Sequence, residues 1–139
     1  MMKYISLFSL LFITSCTTSV EKEQLHLLNG YWEIKEVRFS DGTKKEYKIN
    51  STVDYIMLDS LKGFRKKVNP KFNGTYETSD DAEPLYIRIE NDSIFMEYKN
   101  NLTTWKEVLL SLNQSNFSVK NDQGIIYHYK RFEPINITP

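Results

Sequence analysis

The strongest constraint on what this chain can fold into is a period-two alternation of apolar and polar residues that runs through its second half. Leu85, Ile87 and Ile89 alternate with Tyr86, Arg88 and Glu90. After Asn91-Asp92, Ile94, Met96 and Tyr98 alternate with Phe95 and Glu97. Side chains of a strand point to opposite faces in turn, so this pattern describes strands with one face buried. Turn residues interrupt it every eight to twelve positions, the spacing of an antiparallel sandwich or barrel.

The first half follows the same logic less cleanly. Tyr31 to Phe39 is the first expected strand, with Trp32 and Ile34 on one face and Val37 and Phe39 on the other phase, which predicts a bulge near Lys35-Glu36. Ser40-Asp41-Gly42-Thr43 is a hairpin turn, followed by expected strands over Glu46 to Ile49, Val53 to Leu58 and Gly63 to Val68. Asn69-Pro70 is expected to break the ladder, Phe72 to Thr78 to continue it around Asn73-Gly74, and residues 79–84 to form an exposed acidic loop. Thr103 to Leu112 reads as a strand because Thr103-Thr104-Trp105 outweighs the helix-compatible Val108-Leu109-Leu110. Phe117 and Val119 mark another strand, Asn121-Asp122-Gln123-Gly124 a tight turn, and Ile125 to Phe132 the last strand. About eight or nine strands with short reversals and no crossover helix predict an all-β fold, a small antiparallel up-and-down barrel, since closure removes open edges. Glu21 to Leu28 is expected to add a short helical turn that places Leu25, Leu27 and Leu28 on the fold and stops at Asn29-Gly30.

The N-terminus carries a different signal. Lys3 precedes an apolar run from Tyr4 to Ile13, the length of a signal-peptide core and too short to span a bilayer. Ile13-Thr14-Ser15-Cys16 resembles the lipobox of bacterial lipoproteins, and Cys16 is the only cysteine of the chain. The resemblance implies a diacylglycerol thioether and an N-acyl chain on Cys16, an anchor that two or more acyl chains make durable. Thr17 in place of an inner-membrane retention aspartate favours the outer membrane. The expected organisation is a signal peptide over residues 1–15, a lipidated tether over 16–24 and one barrel domain over 25–135. An exported chain of this size builds its core without disulfides. Lysine plus arginine and aspartate plus glutamate both number 18, which gives no electrostatic handle on nucleic acid. The recurring Asn-x-Ser/Thr triplets, such as Asn73-Gly74-Thr75, read as turn chemistry.

Leu28-Asn29-Gly30-Tyr31-Trp32 at the head and Tyr127-His128-Tyr129-Lys130-Arg131-Phe132 at the tail resemble the lipocalin-like families of small bacterial lipoproteins. Lipocalins carry Gly-x-Trp on their first strand and a basic residue on or after the last. The resemblance implies that Gly30, Trp32 and Arg131 close the barrel, the guanidinium covering the indole. The chain lacks a recognisable helix before its last strand, which lipocalins proper have.

Several constellations remain to be placed. His26 and His128 lie at opposite ends of the chain with no further ligand spacing, so no metal or other cofactor is expected, and His128 should point to solvent, opposite Tyr127 and Tyr129. No serine sits in a nucleophile elbow, and Asp80-Asp81 would be solvated, so no catalysis is expected. Lys62, Arg65, Lys66, Lys67 and Lys71 form a basic cluster that reads as a solvated hairpin. Aromatic residues from different strands can either line a pocket or fill a core. The first functional expectation is a membrane-anchored, monomeric binder of a small hydrophobic ligand, with Tyr55, Phe64, Tyr76, Tyr98 and Trp105 lining the pocket and Arg65 or Arg88 pairing an anionic end. The alternative is a solid-core lipoprotein of the outer membrane that docks a protein partner through its loops.

Overall fold

The computed structural model describes residues 19–78 and 81–134. The expected signal segment and Cys16 lie outside these residues. A 3-10 helix, Lys22–Leu28, precedes ten antiparallel strands: β1 (Gly30–Arg38), β2 (Lys44–Glu46), β3 (Val53–Asp59), β4 (Lys62–Pro70), β5 (Tyr76–Thr78), β6 (Glu83–Glu90), β7 (Ser93–Lys99), β8 (Thr104–Leu112), β9 (Asn116–Asn121) and β10 (Ile126–Arg131). Eight of them close into a barrel in the order β1, β3, β4, β6, β7, β8, β9, β10, and β10 returns to pair β1. The short β2 and β5 pair β1 and β4 outside that circuit. This is the all-β up-and-down barrel that the alternation predicts.

The reversals follow from side-chain chemistry. Asn91 and Asp92 both adopt positive φ, as the two central residues of a tight hairpin turn must. Asn100, Asn113 and Asn121 each turn the chain by accepting backbone N–H bonds on Oδ1, Asn113 from Ser115 and Asn116 at 2.8 Å. Asn73 accepts from the N–H of Thr75 in the same way. The abundant asparagines are therefore turn devices. The bulge expected near Lys35-Glu36 is present: the β1–β10 register shifts between Ile34 and Glu36. A second shift lies between Leu109 and Ser111 on β8.

Four local expectations are corrected. The strand expected at Glu46 to Ile49 is the shorter Lys44–Glu46, and Ile49 is 94% exposed. Asn69-Pro70 does not break the ladder, because Pro70 pairs Tyr76 at the free end of β4, where its missing N–H costs nothing. The strand around Asn73-Gly74 is confined to Tyr76–Thr78. Glu83 and Pro84, expected in a loop, begin β6.

One end of the barrel is closed and solid. Leu25 and Leu28 of the 3-10 helix join Trp32, Ile56, Leu85, Met96, Phe117 and Val119 in one buried cluster. Trp32 meets Phe117 edge-on at 4.7 Å, and Phe117 stacks on Tyr129 at 4.6 Å. The Trp32 indole N–H donates to Leu28 O at 2.8 Å, which fixes the helix over the barrel floor. These side chains interlock and fill the interior at this end.

Candidate functional site

The Gly30, Trp32 and Arg131 trio meets at the closed end. The Arg131 guanidinium lies 3.9 Å from the Trp32 ring centroid. It donates to Gln114 O at 2.9 Å, Asn29 O at 2.7 Å and Leu27 O at 2.7 Å. Two backbone segments, the end of the 3-10 helix at Leu27–Asn29 and the β8–β9 turn at Gln114, are thus tied to β10 by one side chain. Gly30 has φ +124°, and a Cβ there would lie 2.6 Å from Arg131 Nη1. The glycine is needed both for its conformation and for the approach of the guanidinium.

The opposite end opens into a cavity of about 460 Å³ bordered by Asp54, Arg65, Glu83, Tyr98, Trp105 and Glu107, among others. Alternation brings these residues together. On β3, Ile56 and Leu58 face the core, so Asp54 faces inward too, and it is buried. On β7, Ile94, Met96 and Tyr98 share the inner face. Tyr98 pairs Trp105 of β8 directly, and the two rings stack at 5.3 Å with 14° between their planes. Trp105 is 38% exposed and Tyr98 only 2%, so the aromatic wall reached from solvent is the indole, backed by the buried Tyr98 ring.

Arg65 is the centre of the floor, its side chain only 12% exposed. Its Nη2 donates to Asp54 Oδ2 at 3.0 Å, its Nη1 donates to the Tyr98 hydroxyl at 2.9 Å, and its guanidinium lies 4.9 Å from the Tyr129 ring centroid. Lys67 Nζ adds a second contact to Asp54 at 2.7 Å. Burial pushes the Asp54 carboxyl up, but Arg65 and Lys67 together more than offset it and hold the group below its usual range. Glu107 behaves oppositely. Burial raises its pKa, and Arg65, 3.6 Å away, compensates only in part, even with help from the Tyr98 hydroxyl. Burial also pushes the Tyr98 and Tyr129 hydroxyls up, so both stay protonated as hydrogen-bonding groups.

Of the expected ligand-lining residues, Arg65, Tyr98 and Trp105 meet at this mouth. The other four do not. Tyr55 and Phe64 occupy the outer phase of β3 and β4, because Asp54, Ile56 and Arg65 take the inner one. Tyr76 stacks on Tyr31 at 4.1 Å, Tyr31 meets Tyr55 at 4.7 Å, and Tyr55 meets Phe64 at 5.9 Å, all as one aromatic cluster on the barrel's outside. Arg88 lies outside as well, over Phe95 and paired with Glu97 and Glu90. The basic cluster also divides: Arg65 and Lys67 serve the floor, and Lys66 packs on the outer rings of Tyr55 and Phe64. His128, expected toward solvent, is half-buried, and its Nε2 is buried with no hydrogen-bond partner among the described residues. Asp54 and Glu107 join the site although no sequence motif marks them; the signal that could have found Asp54 is its shared phase with Ile56 and Leu58.

Among the described residues, no group of three or more His, Cys, Asp or Glu side chains is placed to hold a metal ion. No described helix is long and apolar enough to cross a membrane. No protein-family model and no curated protein matches the sequence. Two solved structures are similar. One is a lipocalin-like protein from Bacteroides uniformis ATCC 8492, with 12% identity and a TM-score of 0.48 over 76% of this chain and 99% of that one. The other is an uncharacterized protein from Bacteroides eggerthii DSM 20697, with 11% identity, a TM-score of 0.48 and the same coverage. The described residues form a closed eight-stranded barrel pinned at one end by Arg131 over Trp32, the closure that the resemblance to lipocalin-like families implies.

Proposed function

We propose that this protein is a lipid-anchored binding module of the bacterial envelope that holds one small amphipathic molecule at the open end of its barrel, without catalysis. The observation that carries the reading is the Tyr98–Trp105 wall above a buried charged floor, in a cavity of about 460 Å³. Small-molecule sites combine apolar walls with a few fixed polar groups in volumes of about 300–1,000 Å³. The solid core beneath confines the ligand to the mouth. The anchor would be Cys16, in the outer membrane. The chain enters the domain through the 3-10 helix at the closed end, so an anchor there leaves the mouth facing water.

A second reading, a lipoprotein that docks a protein partner, is favoured by the outer aromatic cluster of Tyr31, Tyr55, Phe64 and Tyr76, together with Phe72 between β4 and β5, which is 83% exposed. Native mass spectrometry of the full chain, extracted in mild detergent, separates the two. The ligand reading expects an adduct of about a few hundred daltons that denaturation removes and Trp105→Ala abolishes. A bare protein mass after exposure to an envelope extract would refute it and turn attention to the outer cluster.

A further inference from the structure

The mouth is better furnished for a cation than for an anion. Arg65 has the charge an anionic ligand would seek, but one N–H of its Nη1 serves the Tyr98 hydroxyl, one of its Nη2 serves Asp54, and Tyr129 lies along its face. Asp54 is matched twice, by Arg65 and by Lys67. Glu107 is not matched in this way. It is 9% exposed, borders the cavity, and has its nearest cation at 3.6 Å, shared with two other partners. Burial raises its pKa, which agrees with a carboxylate short of positive charge. Asp81 and Glu83 add two further carboxylates to the lining, and neither has an ion-pair partner among the described residues. Lys66, the remaining lining cation, packs against the outer rings of Tyr55 and Phe64. Two residues before Glu107 on β8, and bordering the same cavity, stands the exposed indole of Trp105, whose electron-rich face attracts cations.

We propose that the mouth takes an organic cation, a small molecule with a protonated amine joined to a flat apolar group, the ammonium at Glu107 and the flat group against Trp105. The proposal rests on the mouth-binding reading above and names its ligand class. An ammonium supplies the charge that Glu107 lacks without displacing any bond of Arg65. A carboxylate in the same place would meet Glu107, Asp81 and Glu83, while the charge of the Arg65 guanidinium is already paired with Asp54 and shared with Glu107.

The test is calorimetric titration of the full chain, in mild detergent at neutral pH, with three probes that share one ring. Tryptamine carries an ammonium, indole-3-propionate a carboxylate on the same two-carbon arm, and 3-ethylindole no charge. Tryptamine is expected to bind about tenfold tighter than 3-ethylindole, with indole-3-propionate weakest. Glu107→Gln should erase the preference for tryptamine while thermal melting confirms that the variant is folded. Glu83→Gln, at the rim, is a second variant expected to reduce it about twofold. Equal or tighter binding of indole-3-propionate would overturn the cation assignment and leave the mouth as a binding site. Failure of all three probes to bind would overturn both.

Discussion

Arg131→Ala tests the closure of the barrel through a single side chain. The guanidinium donates to the carbonyls of Gln114, Asn29 and Leu27 and lies 3.9 Å from the Trp32 ring centroid. A hydrogen bond to a charged group contributes about 1.5–3 kcal/mol when water is excluded. Those to Gln114 and Asn29 are at exposed positions, so solvent screening leaves each about 0.5 kcal/mol. The bond to Leu27 is part-buried and keeps about 1.5 kcal/mol. Stacking on Trp32 adds about 1 kcal/mol. The expected loss is about 3–3.5 kcal/mol, which for a domain of this size lowers the melting temperature by about 10–15 °C. Thermal melts followed by far-UV circular dichroism measure it, and the near-UV signal of Trp32 should weaken in parallel. Arg131→Lys should recover less than half, because an ammonium cannot serve three diverging carbonyls and a ring face together. A drop of only a degree or two, or a lysine variant equal to the parent, would refute the closing role. Gly30→Ala should cost a comparable amount, since its Cβ would collide with Arg131 Nη1 at a φ that side chains disfavour.

Other substitutions probe the rest of the molecule. Asp54→Asn strands Arg65 in the floor and should cost about 3 kcal/mol at neutral pH by urea unfolding, as when one partner of a buried pair is removed. The folded pKa of Asp54 is depressed, so its contribution is complete above its ordinary value of 3.8 and is lost as pH falls through the lower folded value; Asp54→Asn should flatten that acid limb. Glu107 has a raised folded pKa, so its ionisation costs stability as pH rises from its ordinary 4.5 through the folded value, and Glu107→Gln should remove that decline from the same stability curve. Gly63→Ala should prevent the β3–β4 hairpin from closing, because its Cβ would lie 1.8 Å from Met57 O; soluble yield and the melting curve report it. Cys16→Ala should release the protein from membranes in cell fractionation, and continued membrane association without acyl labelling would sink the lipoprotein reading.

The barrel was legible because its strands obey one rule, and the site was only half legible because that rule has a gap. Alternation says which residues share a face and not which face is inside. Tyr55 and Phe64 look like core residues by composition, and Asp54 and Arg65 look like surface ones. The phase of Ile56 and Leu58 reverses that assignment on β3, and the pairing of Ile56 with Arg65 carries it to β4. Judged by its apolar neighbours, Asp54 could have been placed inside. Glu107 could not have been placed so firmly, because the Val108-Leu109-Leu110 run around the β8 register shift hides the phase. The closing trio was visible because glycine, tryptophan and arginine each have one geometric purpose there.

The two ends of the barrel solve the same problem with opposite chemistry. Each holds an arginine against aromatic rings. At the closed end, Arg131 gives its donors to neutral carbonyls of the chain that it ties down, so its charge is dispersed and partly wetted. At the open end, Arg65 is deeply buried, and only ionised partners can offset its desolvation. The burial of Asp54 is in turn more than offset by Arg65 and Lys67, whereas the burial of Glu107 is offset only in part. The second buried carboxylate, set near an exposed indole and facing a cavity, adds a desolvation cost that the fold itself does not require, and a cationic ligand is the partner that would remove it.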